Sequence, residues 1–420
     1  YEPGKTIEYK PLLKKAIELA KHKPEKCIIY QRKDFKVDLE KNEIDWNEFI
    51  KNAKPVECVE MNANDYAYIL YTSGTTGAPK GAVISHAGAL LQPAKEIYFN
   101  MDFKSNDTLL WVTDIGWMMG PWQIIGSQHL GGTHLIFEGA PDYPEPDRLW
   151  RIIDDFQVSH LGGSATIFRL LKGYGDEWIK KNNLSSIRIM GNTGETLDNK
   201  TWLWLLKVVG KEKCPIINLS GGTEIFGCFI LPLPIMPLKP STLGGPGLGM
   251  DVDIFNDNGE SVREEIGYLV CKSPSPSMTR GFWKDSERYL DTYWSRWPLI
   301  WYHGDWASID KDGFWFLHGR VDDVIKIAGK RLGPAEVEFI LNQNAEVRES
   351  AAIGMPHETK GEKLVCFISL NLNHNPSKEL EDELRRQVIM SIGKPFAPDQ
   401  IIFLKDLVQI LKCLWTKFSC

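Results

Sequence analysis

The stretch YILYTSGTTGAPKG at residues 68–81 decides the fold. It begins as a buried strand, becomes a loop of glycines and hydroxyl residues, and leads past Lys80 into a segment patterned as a helix. Glycines let a polyphosphate approach backbone N–H groups, Ser73, Thr75 and Thr76 add hydroxyl donors, and Lys80 adds positive charge. The GxxxxGK(S/T) pattern of P-loop NTPases is absent, so the stretch does not indicate a kinase or a GTPase. We expect a phosphate-binding loop between a strand and a helix; a flexible turn is the alternative.

Short apolar runs alternate with helix-like stretches on the C-terminal side of this loop. The alternation predicts an α/β fold with a largely parallel sheet. The predicted strands lie at residues 67–71, 109–112, 133–137, 187–190 and 215–219, and the predicted helices at 86–99, 146–156, 165–171 and 198–209.

The pattern of the chain changes twice more. After residue 230, short strands separated by Pro- and Gly-rich segments predict a small β-rich subdomain at about residues 247–320. Near residue 321 a Pro-led helix, a strand and a second helix predict a smaller α+β unit. We therefore predict a large domain at residues 1–320 and a C-terminal domain at residues 321–420, which becomes atypical from residue 408.

Composition excludes several classes of protein. The 420 residues include 49 basic and 55 acidic side chains, and 49 − 55 gives a formal charge of −6. This mild acidity argues against a nucleic-acid-binding protein. The eight cysteines form no CxxC pair and are typical of reduced thiols in an intracellular protein. No apolar run is long enough for a transmembrane helix. We expect a cytoplasmic protein whose partners are neither nucleic acid nor membrane.

The loop resembles the signature loop of the adenylate-forming acyl- and aryl-CoA synthetases, and in particular of the acetyl-CoA synthetase branch. The resemblance runs from about residue 61 to residue 407, and several separate motifs follow in the family's order. It implies a large adenylate-forming domain, a mobile C-terminal domain, and the use of ATP, Mg²⁺, CoA and a small carboxylic acid. It also implies that the loop binds ATP or AMP through Thr72, Ser73, Gly74, Thr75, Thr76, Gly77 and Lys80.

The motif SGGTEI at residues 220–225 follows a predicted strand. A carboxylate at a strand end beside a nucleotide suits Mg²⁺ coordination. By resemblance, Thr223 contacts the α-phosphate and Glu224 holds Mg²⁺. The alternative is that these residues only cap a helix.

Two further segments resemble adenine-contacting parts of the family. Asn218 stands where the family often places a residue against adenine. The turn Gly194-Glu195-Thr196 is similar to the family's Gly-Glu-Pro turn in the adenine pocket. Thr196 replaces the proline, which reduces the rigidity of the turn.

Two motifs before the predicted C-terminal domain resemble the ribose site and the hinge of the family. In WYHGD at residues 301–305, Asp305 is suited to accept hydrogen bonds from both ribose hydroxyls. In GRVDDVIK at residues 319–326, Arg320 is expected on ribose and phosphate through its forked donors. Asp322 lies at the hinge about which the C-terminal domain rotates between the two half-reactions. A solvated charge cluster is the alternative.

The segment AGKRLGPAE at residues 328–336 continues this resemblance into the C-terminal domain. Arg331 is expected on a phosphate, as part of the catalytic set with Thr223, Glu224 and Asp322. Gly329 is expected along the tunnel for the pantetheine arm of CoA.

The predicted acyl pocket differs from that of an acetate enzyme. Acetate-specific members close this pocket with a Trp where this chain has Gly221, and each added methylene contributes roughly 1–3 kcal/mol of discrimination. Trp117, Met118, Met119 and Thr193 fall at other family positions around the acyl or thiol site, although the two methionines also suit a simple core. We expect an acid of short to medium chain that is longer than acetate. A hydroxylated acid is included, because Thr193 could form a hydrogen bond with a substrate hydroxyl.

Both ends of the chain depart from the family. The family has a longer N-terminal region, and its C-terminal loop has a lysine that neutralises charge during adenylation. Leu414 stands at that lysine's position, and neither Lys412 nor Lys417 lies in a comparable Gly-containing loop. We expect a truncated or frame-shifted remnant in which adenylation is slowed, on the order of 10²–10³-fold.

Three hypotheses follow from these motifs. The favoured one is an AMP-forming acyl-CoA synthetase that works through an acyl-adenylate. The second keeps the adenylate chemistry but transfers the acyl group to a carrier protein. The third is a non-catalytic ATP-binding protein derived from such a synthetase.

Overall fold

The computed structural model describes residues 8–33, 35–74, 77–323, 325–327, 330–357, 361–372 and 374–405. The chain divides into two compact units, residues 1–62 with 137–144, and residues 63–136 with 145–420. The boundary that the sequence predicts between residues 320 and 321 stays a prediction. It falls between two separate β-sheets of the second unit.

The described residues of the first unit form two helices and two short strands. Pro11 lies in the first turn of the helix Lys10–Leu19, where its missing N–H costs nothing. The two strands pair in parallel, with Cys27 opposite Glu43. The elements are α1 (Lys10–Leu19), β1 (Cys27–Ile29), β2 (Glu43–Asp45) and α2 (Trp46–Ile50).

The second unit begins with a β-hairpin, where we expected a loop between a strand and a helix. Strand β3 (Tyr66–Gly74) pairs antiparallel with β4 (Gly77–Ser85), so the phosphate-loop motif lies at the hairpin tip. The expectation was wrong because Val83 and Ile84 are buried β-branched residues that suit a strand. The helix begins only after Ser85, whose hydroxyl accepts from the N–H of Gly88.

A five-stranded parallel sheet follows, as predicted. Its spatial order is β6-β5-β7-β8-β9, with helices between consecutive strands. The sequence did not predict β7, because HLGG at residues 160–163 lacks typical strand formers, although all four residues are buried. The elements are α3 (His86–Lys95), β5 (Thr108–Trp111), α4 (Met119–His129), β6 (Thr133–His134), α5 (Arg148–Asp155), β7 (His160–Gly163), α6 (Ala165–Gly173), α7 (Glu177–Lys180), β8 (Ile189–Asn192), α8 (Asn199–Trp204) and β9 (Ile216–Asn218), with π-helical turns Glu96–Asn100 and Leu205–Val209 after α3 and α8.

An antiparallel hairpin and a four-stranded antiparallel sheet come next. The hairpin joins β10 to β11 through a 3₁₀ turn, Thr223–Ile225. The sheet has the sequential order β12-β13-β14-β15 and a core rich in aromatic residues. The elements are β10 (Ser220–Gly222), β11 (Gly227–Ile230), β12 (Val252–Phe255), β13 (Gly267–Cys271), α9 (Ser286–Trp294), β14 (Trp301–Ile309) and β15 (Trp315–Arg320).

The last part of the chain, which we call the C-terminal lobe (described residues between 325 and 405), has its own sheet and core. Strand β19 pairs antiparallel with β18 and in parallel with β20. Helix α10 begins with Pro334 at its first position, as the sequence predicts. The elements are β16 (Ile325–Ile327), β17 (Lys330–Leu332), α10 (Pro334–Leu341), β18 (Val347–His357), β19 (Gly361–Leu370), α11 (Lys378–Ile392), the 3₁₀ turn Lys394–Phe396, and β20 (Gln400–Leu404).

Two further expectations concern the whole chain. In the described part of the chain, no helix combines the length and the apolar character that crossing a membrane requires. The six described cysteines, at positions 27, 58, 214, 228, 271 and 366, are free thiols. Cys413 and Cys420 lie outside the described residues.

Candidate functional site

The carboxyl edge of the parallel sheet carries two buried asparagines. Asn192 ends β8 and Asn218 ends β9, and ligands of open α/β sheets bind at this edge. Each side chain donates its Nδ2 to a backbone carbonyl at 3.0 Å, Asn192 to Glu195 and Asn218 to Thr242. Each Oδ1 is buried without a hydrogen-bond partner among the described residues. Two orphaned acceptors at a ligand-binding edge suit donors such as an amino group of a base. The sequence pointed to Asn218 but not to Asn192.

The turn after β8 presents backbone at this edge. Gly194 has φ +88°, and nothing lies within 4 Å of the place a Cβ would take. The Glu195 carboxylate turns to helix α6, where it accepts from Thr166 Oγ1 at 2.6 Å and from Arg169 Nη2 at 2.5 Å. Thr196 is exposed. The predicted adenine turn is thus fixed by its acid and leaves an open face beside Gly194.

The β3–β4 hairpin brings Thr72 opposite Lys80. The Thr72 hydroxyl is buried without a hydrogen-bond partner among the described residues. Of the other predicted loop residues, Thr75 and Thr76 lie outside the described residues, and of Ser73, Gly74 and Gly77 only the backbone is described.

The centre of the site is a buried ion pair between two motifs far apart in the sequence. Lys80 Nζ lies 3.2 Å from Glu224 Oε1. The Tyr293 hydroxyl joins the two, since it donates to Glu224 Oε1 at 2.6 Å and accepts from Lys80 Nζ at 3.1 Å. The ammonium also lies 5.4 Å from the ring centroids of Phe282 and Tyr293. The predicted phosphate cation and the predicted Mg²⁺ ligand therefore share one cluster.

The charge of Glu224 is set by this cluster. Burial by itself would raise the pKa of its carboxyl group. The Lys80 ammonium and the Tyr293 hydroxyl lower this pKa by more than burial raises it, so it lies below its usual value. Thr223 opens the 3₁₀ turn that carries Glu224, and the N–H of Thr279 donates to the Glu224 carbonyl at 2.6 Å. The carboxylate is held ionised at the end of a short strand.

Tyr293 is a member of this site that the sequence did not indicate. It lies on α9, and its ring stacks on Trp301 of β14 at a centroid distance of 4.1 Å and an interplanar angle of 7°. No motif marks it, because its position depends on how α9 packs against the antiparallel sheet. An aromatic residue near the WYHGD motif was the one signal available.

A second chain of polar contacts runs along β14 and β15. His303 is buried, with Nε2 at 3.2 Å from the Gly221 carbonyl and 3.5 Å from Asp305 Oδ2. Burial lowers the pKa of His303, so its ring is neutral at neutral pH. Arg320, paired with Asp305 across the two strands, donates to Asp305 Oδ1 at 3.2 Å and to Asp322 Oδ1 at 3.1 Å. The sheet register thus brings the predicted ribose carboxylate, ribose cation and hinge residue together.

The residues predicted to line the acyl pocket do not form one apolar wall. Met119 is buried in the core around Trp122, with Met118 packed against the same core, and Trp117 is largely exposed. Thr193 donates its hydroxyl to the Leu219 carbonyl at 2.8 Å, so its proton is already used.

Gly221 occupies a position with no room for a side chain. A Cβ there would lie 1.9 Å from the carbonyl oxygen of Gly227, because β10 and β11 approach closely. The absence of an indole therefore leaves no empty space in the Cβ direction, in contrast to what we expected from the sequence. Gly221 contributes backbone to the site, including the carbonyl that contacts His303.

Of the remaining predicted residues, Arg331 lies at the start of the C-terminal lobe. The backbone of Arg331 pairs with Lys326 in the β16–β17 hairpin, and its side chain is outside the described part. Gly329 and Leu414 also lie outside the described residues.

With this geometry established, comparison with known proteins defines the class. The AMP-binding enzyme family matches residues 5–283, and the AMP-binding enzyme C-terminal domain matches residues 336–410. The chain therefore belongs to the AMP-binding enzyme family, with the fold class that the sequence predicted.

Within that family the chain is similar to acetyl-coenzyme A synthetases, as the motifs indicated. It is 40% identical to that of Pyrobaculum aerophilum over 370 residues, which cover 86% of this chain and 55% of the relative. It is 37% identical to that of Methanothrix thermoacetophila over 418 residues, covering 97% and 63%. The chain thus spans less than two thirds of the length of these relatives.

Solved structures agree on the fold. Acetoacetyl-CoA synthetase from Streptomyces lividans superposes with a TM-score of 0.77 at 29% identity, over 88% of this chain and 57% of that one. An anthranilate CoA ligase in complex with anthranoyl-AMP gives the same TM-score at 24% identity, over 88% and 71%, which supports the fold alone.

Proposed function

We propose that this chain is an AMP-forming acid–thiol ligase that joins a small carboxylic acid to CoA. In the first half-reaction the carboxylate attacks the α-phosphorus of ATP, which gives an acyl-adenylate and releases pyrophosphate. In the second, the CoA thiol attacks the acyl carbon and AMP leaves. The observation that carries the proposal is the buried Lys80–Glu224 pair at 3.2 Å, which joins the phosphate-loop motif to the SGGTEI motif.

Nucleotide binding accounts for the unpartnered polar atoms of the site. Asn218 and Asn192 supply acceptors for the adenine side, and the Thr72 hydroxyl with Lys80 supplies donors for the phosphates. In this proposal Asp305 accepts from the ribose hydroxyls, and Arg320, which donates to Asp305 Oδ1, shares its charge with the phosphate. The sequence assigns Ser73, Gly74, Thr75, Thr76, Gly77 and Thr223 to the phosphates, and Gly194, Glu195 and Thr196 to adenine.

The residues present fit a Mg²⁺ ion that arrives with the nucleotide. Among the described residues, no group of three or more His, Cys, Asp or Glu side chains forms a metal site by itself. Mg²⁺ typically binds one or two carboxylates together with substrate phosphates, and an ionised Glu224 provides such a carboxylate. Bound there, Mg²⁺ would neutralise phosphate charge. Glu224 would hold the metal in place of its contact with Lys80, and the Lys80 ammonium would then be available to phosphate.

The identity of the acid and the rate of adenylation belong to the same proposal. We propose an acid longer than acetate on the sequence alone, because Gly221 stands where acetate-specific members have a Trp, and the same resemblance assigns Trp117, Met118, Met119 and Thr193 to the acyl side. The close approach of β10 and β11 at Gly221 adds no support to this chain length. We also propose that adenylation is slowed because Leu414 replaces the family's lysine, while Asp322, Arg331 and Gly329 serve hinge rotation, phosphate and CoA. A cytoplasmic location, where the six free thiols stay reduced, completes the proposal.

The test is carboxylate-dependent release of pyrophosphate from ATP, screened from acetate to hexanoate and including hydroxybutyrate. We expect release to be highest with four-carbon acids and low with acetate. A Glu224→Gln variant should lose the signal, whereas Glu177→Gln, a change on helix α7, should keep it. Equal rates with acetate would refute the proposed chain length.

The third hypothesis, a non-catalytic ATP-binding protein, is separated by a second assay. Synthetic acyl-adenylate and CoA are supplied together, so that the first half-reaction is bypassed. Thioester formation without pyrophosphate release identifies an enzyme with slowed adenylation. ATP binding with neither activity contradicts the proposed function, and transfer to a phosphopantetheine carrier protein but not to CoA identifies the other acceptor.

A further inference from the structure

A cavity of about 200 Å³ lies between helices α6 and α8 and the C-terminal lobe. One wall comes from α6 and the beginning of α8, and the opposite wall comes from the segment between α10 and β18 and from the end of β19. None of the described residues predicted to contact the nucleotide lines this cavity. One lining residue, Arg169, is linked to them because it donates to the Glu195 carboxylate. Nothing in the proposed two half-reactions uses this cavity.

The walls carry an excess of positive charge. Of the twelve described residues that line the cavity, four are cations (Arg169, Lys172, Lys200 and Arg348) and one, Asp198, is an acid, so 4 − 1 gives +3. The cations are close enough to affect one another. Burial lowers the pKa of the Lys172 ammonium, and among its charged neighbours Lys200 and Arg169 lower it while Asp198 and Asp176 raise it. Such an arrangement of like charges is stabilised by an anion.

Two buried polar atoms of the wall lack partners. Arg169 is only 9% exposed, and its Nε–H has no acceptor among the described residues. Asp198, which caps α8 through an Oδ1 contact with the Thr201 N–H at 2.9 Å, has an Oδ2 that accepts no hydrogen bond from the described residues. That Oδ2 lies 3.7 Å from Arg169 Nη1. The two side chains thus form an ion pair, but the Arg169 Nε–H and the Asp198 Oδ2 each lack a hydrogen-bond partner among the described residues.

These features together select one kind of ligand. The cavity is below the roughly 300–1,000 Å³ of sites for drug-sized molecules, so a small ion fits better than a metabolite of that size. The cations and the Arg169 Nε–H require acceptor oxygens, whereas Asp198 Oδ2 requires an O–H donor. Hydrogen phosphate has both, but sulfate has no proton at neutral pH. We propose that this cavity is a binding site for inorganic phosphate, held between the two walls by Lys172, Lys200 and Arg348 and distinguished from sulfate by Asp198.

The position of the site predicts what the ion does. Lys172 and Lys200 belong to α6 and α8, and Arg348 is the second residue of β18 of the C-terminal lobe, where its Nη2 also donates to Ser369 Oγ at 2.6 Å. The C-terminal lobe already touches α6 and α8 near the cavity. Thr166 Oγ1 donates to Glu349 Oε1 at 3.2 Å, and Lys200 donates to the Gln343 carbonyl. A phosphate ion that bridges the walls stabilises this arrangement of the lobes. The inference does not depend on the proposed function.

Calorimetric titration of the full chain with inorganic phosphate tests the site, with sulfate and chloride titrated at matched ionic strength. We expect saturable phosphate binding that is at least tenfold tighter than sulfate binding. Lys172→Met and Arg348→Gln, one from each wall, should each weaken phosphate binding about tenfold or more. Asp198→Asn keeps the cap of α8 but supplies a donor, so it should remove the preference for phosphate over sulfate.

Two controls separate this site from the nucleotide site and from surface charge. Lys80→Met changes only the nucleotide site and should leave phosphate affinity unchanged, and so should Lys180→Met on α7. Loss of binding in Lys80→Met would place the ion in the nucleotide site and overturn the proposal. Unchanged affinity in Lys172→Met or in Arg348→Gln, or equal affinity for phosphate and sulfate in the unaltered protein, would also overturn it. A melting curve for each variant, recorded without phosphate, confirms that it is folded.

Discussion

Two glutamates of the second unit, Glu224 in a buried position and Glu338 in a half-buried one, have opposite charge preferences. Glu224, beside the nucleotide site, has a lowered pKa because Lys80 and Tyr293 outweigh the effect of burial. Glu338 of α10 has a pKa raised to about 7, because burial dominates and the neighbouring Asp323 and Glu195 are also acidic. Its carboxyl oxygen Oε1 accepts from the Ala352 N–H at 2.9 Å, which compensates only in part.

The comparison shows what distinguishes a glutamate of the candidate nucleotide site from one that is only shielded from water. Burial disfavours the charged form of both carboxyl groups. Glu224 remains an anion because a cation and a hydroxyl were placed beside it by two other segments of the chain. A carboxylate kept ionised without water is costly to the fold, and its retention fits a task that needs negative charge, such as holding Mg²⁺.

The largest effect is expected when Lys80 is replaced, because Glu224 then becomes like Glu338. Lys80→Met leaves the Glu224 carboxylate buried without its cation, so its pKa should rise, and the phosphates lose their positive charge. We expect pyrophosphate release to fall on the order of 10²–10³-fold, as for loss of one electrostatic donor. Rates are measured with the acid that gives the highest activity, together with ATP affinity.

Lys284→Met is the matched control for this change. Lys284 is exposed and lies over the Trp283 ring, 5.6 Å from its centroid, two residues after Phe282. Its replacement should leave both rate and affinity unchanged. A Lys80→Met protein with normal pyrophosphate release would show that the ion pair is structural and would remove the main support for the proposed function.

The second effect concerns stability and pH, and it separates Glu338 from Glu224. Because the pKa of Glu338 is raised in the folded protein, its contribution to the free energy of unfolding is fully present below pH 4.5. That contribution is lost as the pH rises towards 7 and the carboxyl group ionises. The shift from 4.5 to about 7 corresponds to about 3 kcal/mol. Glu338→Gln keeps an oxygen for the Ala352 N–H and has no charge, so it should be the more stable protein at pH 8.

Urea unfolding at pH 5 and pH 8 measures this difference in stability. Unfolding of the C-terminal lobe is followed by hydrogen exchange of the backbone amides of β18 and β19. The exposed Glu379→Gln change on α11 is the control and should alter stability equally at both pH values. If Glu338→Gln gains no stability relative to the unaltered protein between pH 5 and pH 8, its carboxyl group is not held neutral.

The sequence predicted those parts of the molecule that depend on contiguous residues. The parallel sheet followed from apolar runs, and Lys80, Glu224 and Asp305 followed from motifs of a few residues each. The second strand of the hairpin β3–β4 was predicted as part of a loop, because only pairing with β3 shows that residues 77–85 form a strand. Strand pairing across a distance is not visible in local propensity.

Other features depended on packing between distant segments and could not be predicted. The contact of β10 with β11 at Gly221 is a matter of backbone approach, so the sequence showed a missing side chain and not a filled space. The cavity between the lobes unites Lys172, Lys200 and Arg348, which belong to no common motif. Asn192 was overlooked because the sequence does not show which buried polar atoms have hydrogen-bond partners. Its oxygen is seen to lack one only in the folded structure.

The smallest predicted effect tests whether Tyr293 acts through its hydroxyl or only through its ring. Tyr293→Phe keeps the stack on Trp301 but removes the group that donates to Glu224 and accepts from Lys80. A hydrogen bond to a charged group contributes about 1.5–3 kcal/mol, which corresponds to roughly 10- to 150-fold in rate. We expect pyrophosphate release to fall toward the lower end of this range, by less than with Lys80→Met. Tyr289→Phe, on the same helix, removes a hydroxyl that donates to the Thr279 carbonyl at 3.2 Å and should leave the rate unchanged. Because a positioning role acts through Glu224, the loss in Tyr293→Phe should be partly recovered at higher Mg²⁺ concentration, whereas an unchanged rate in Tyr293→Phe would assign Tyr293 to packing alone.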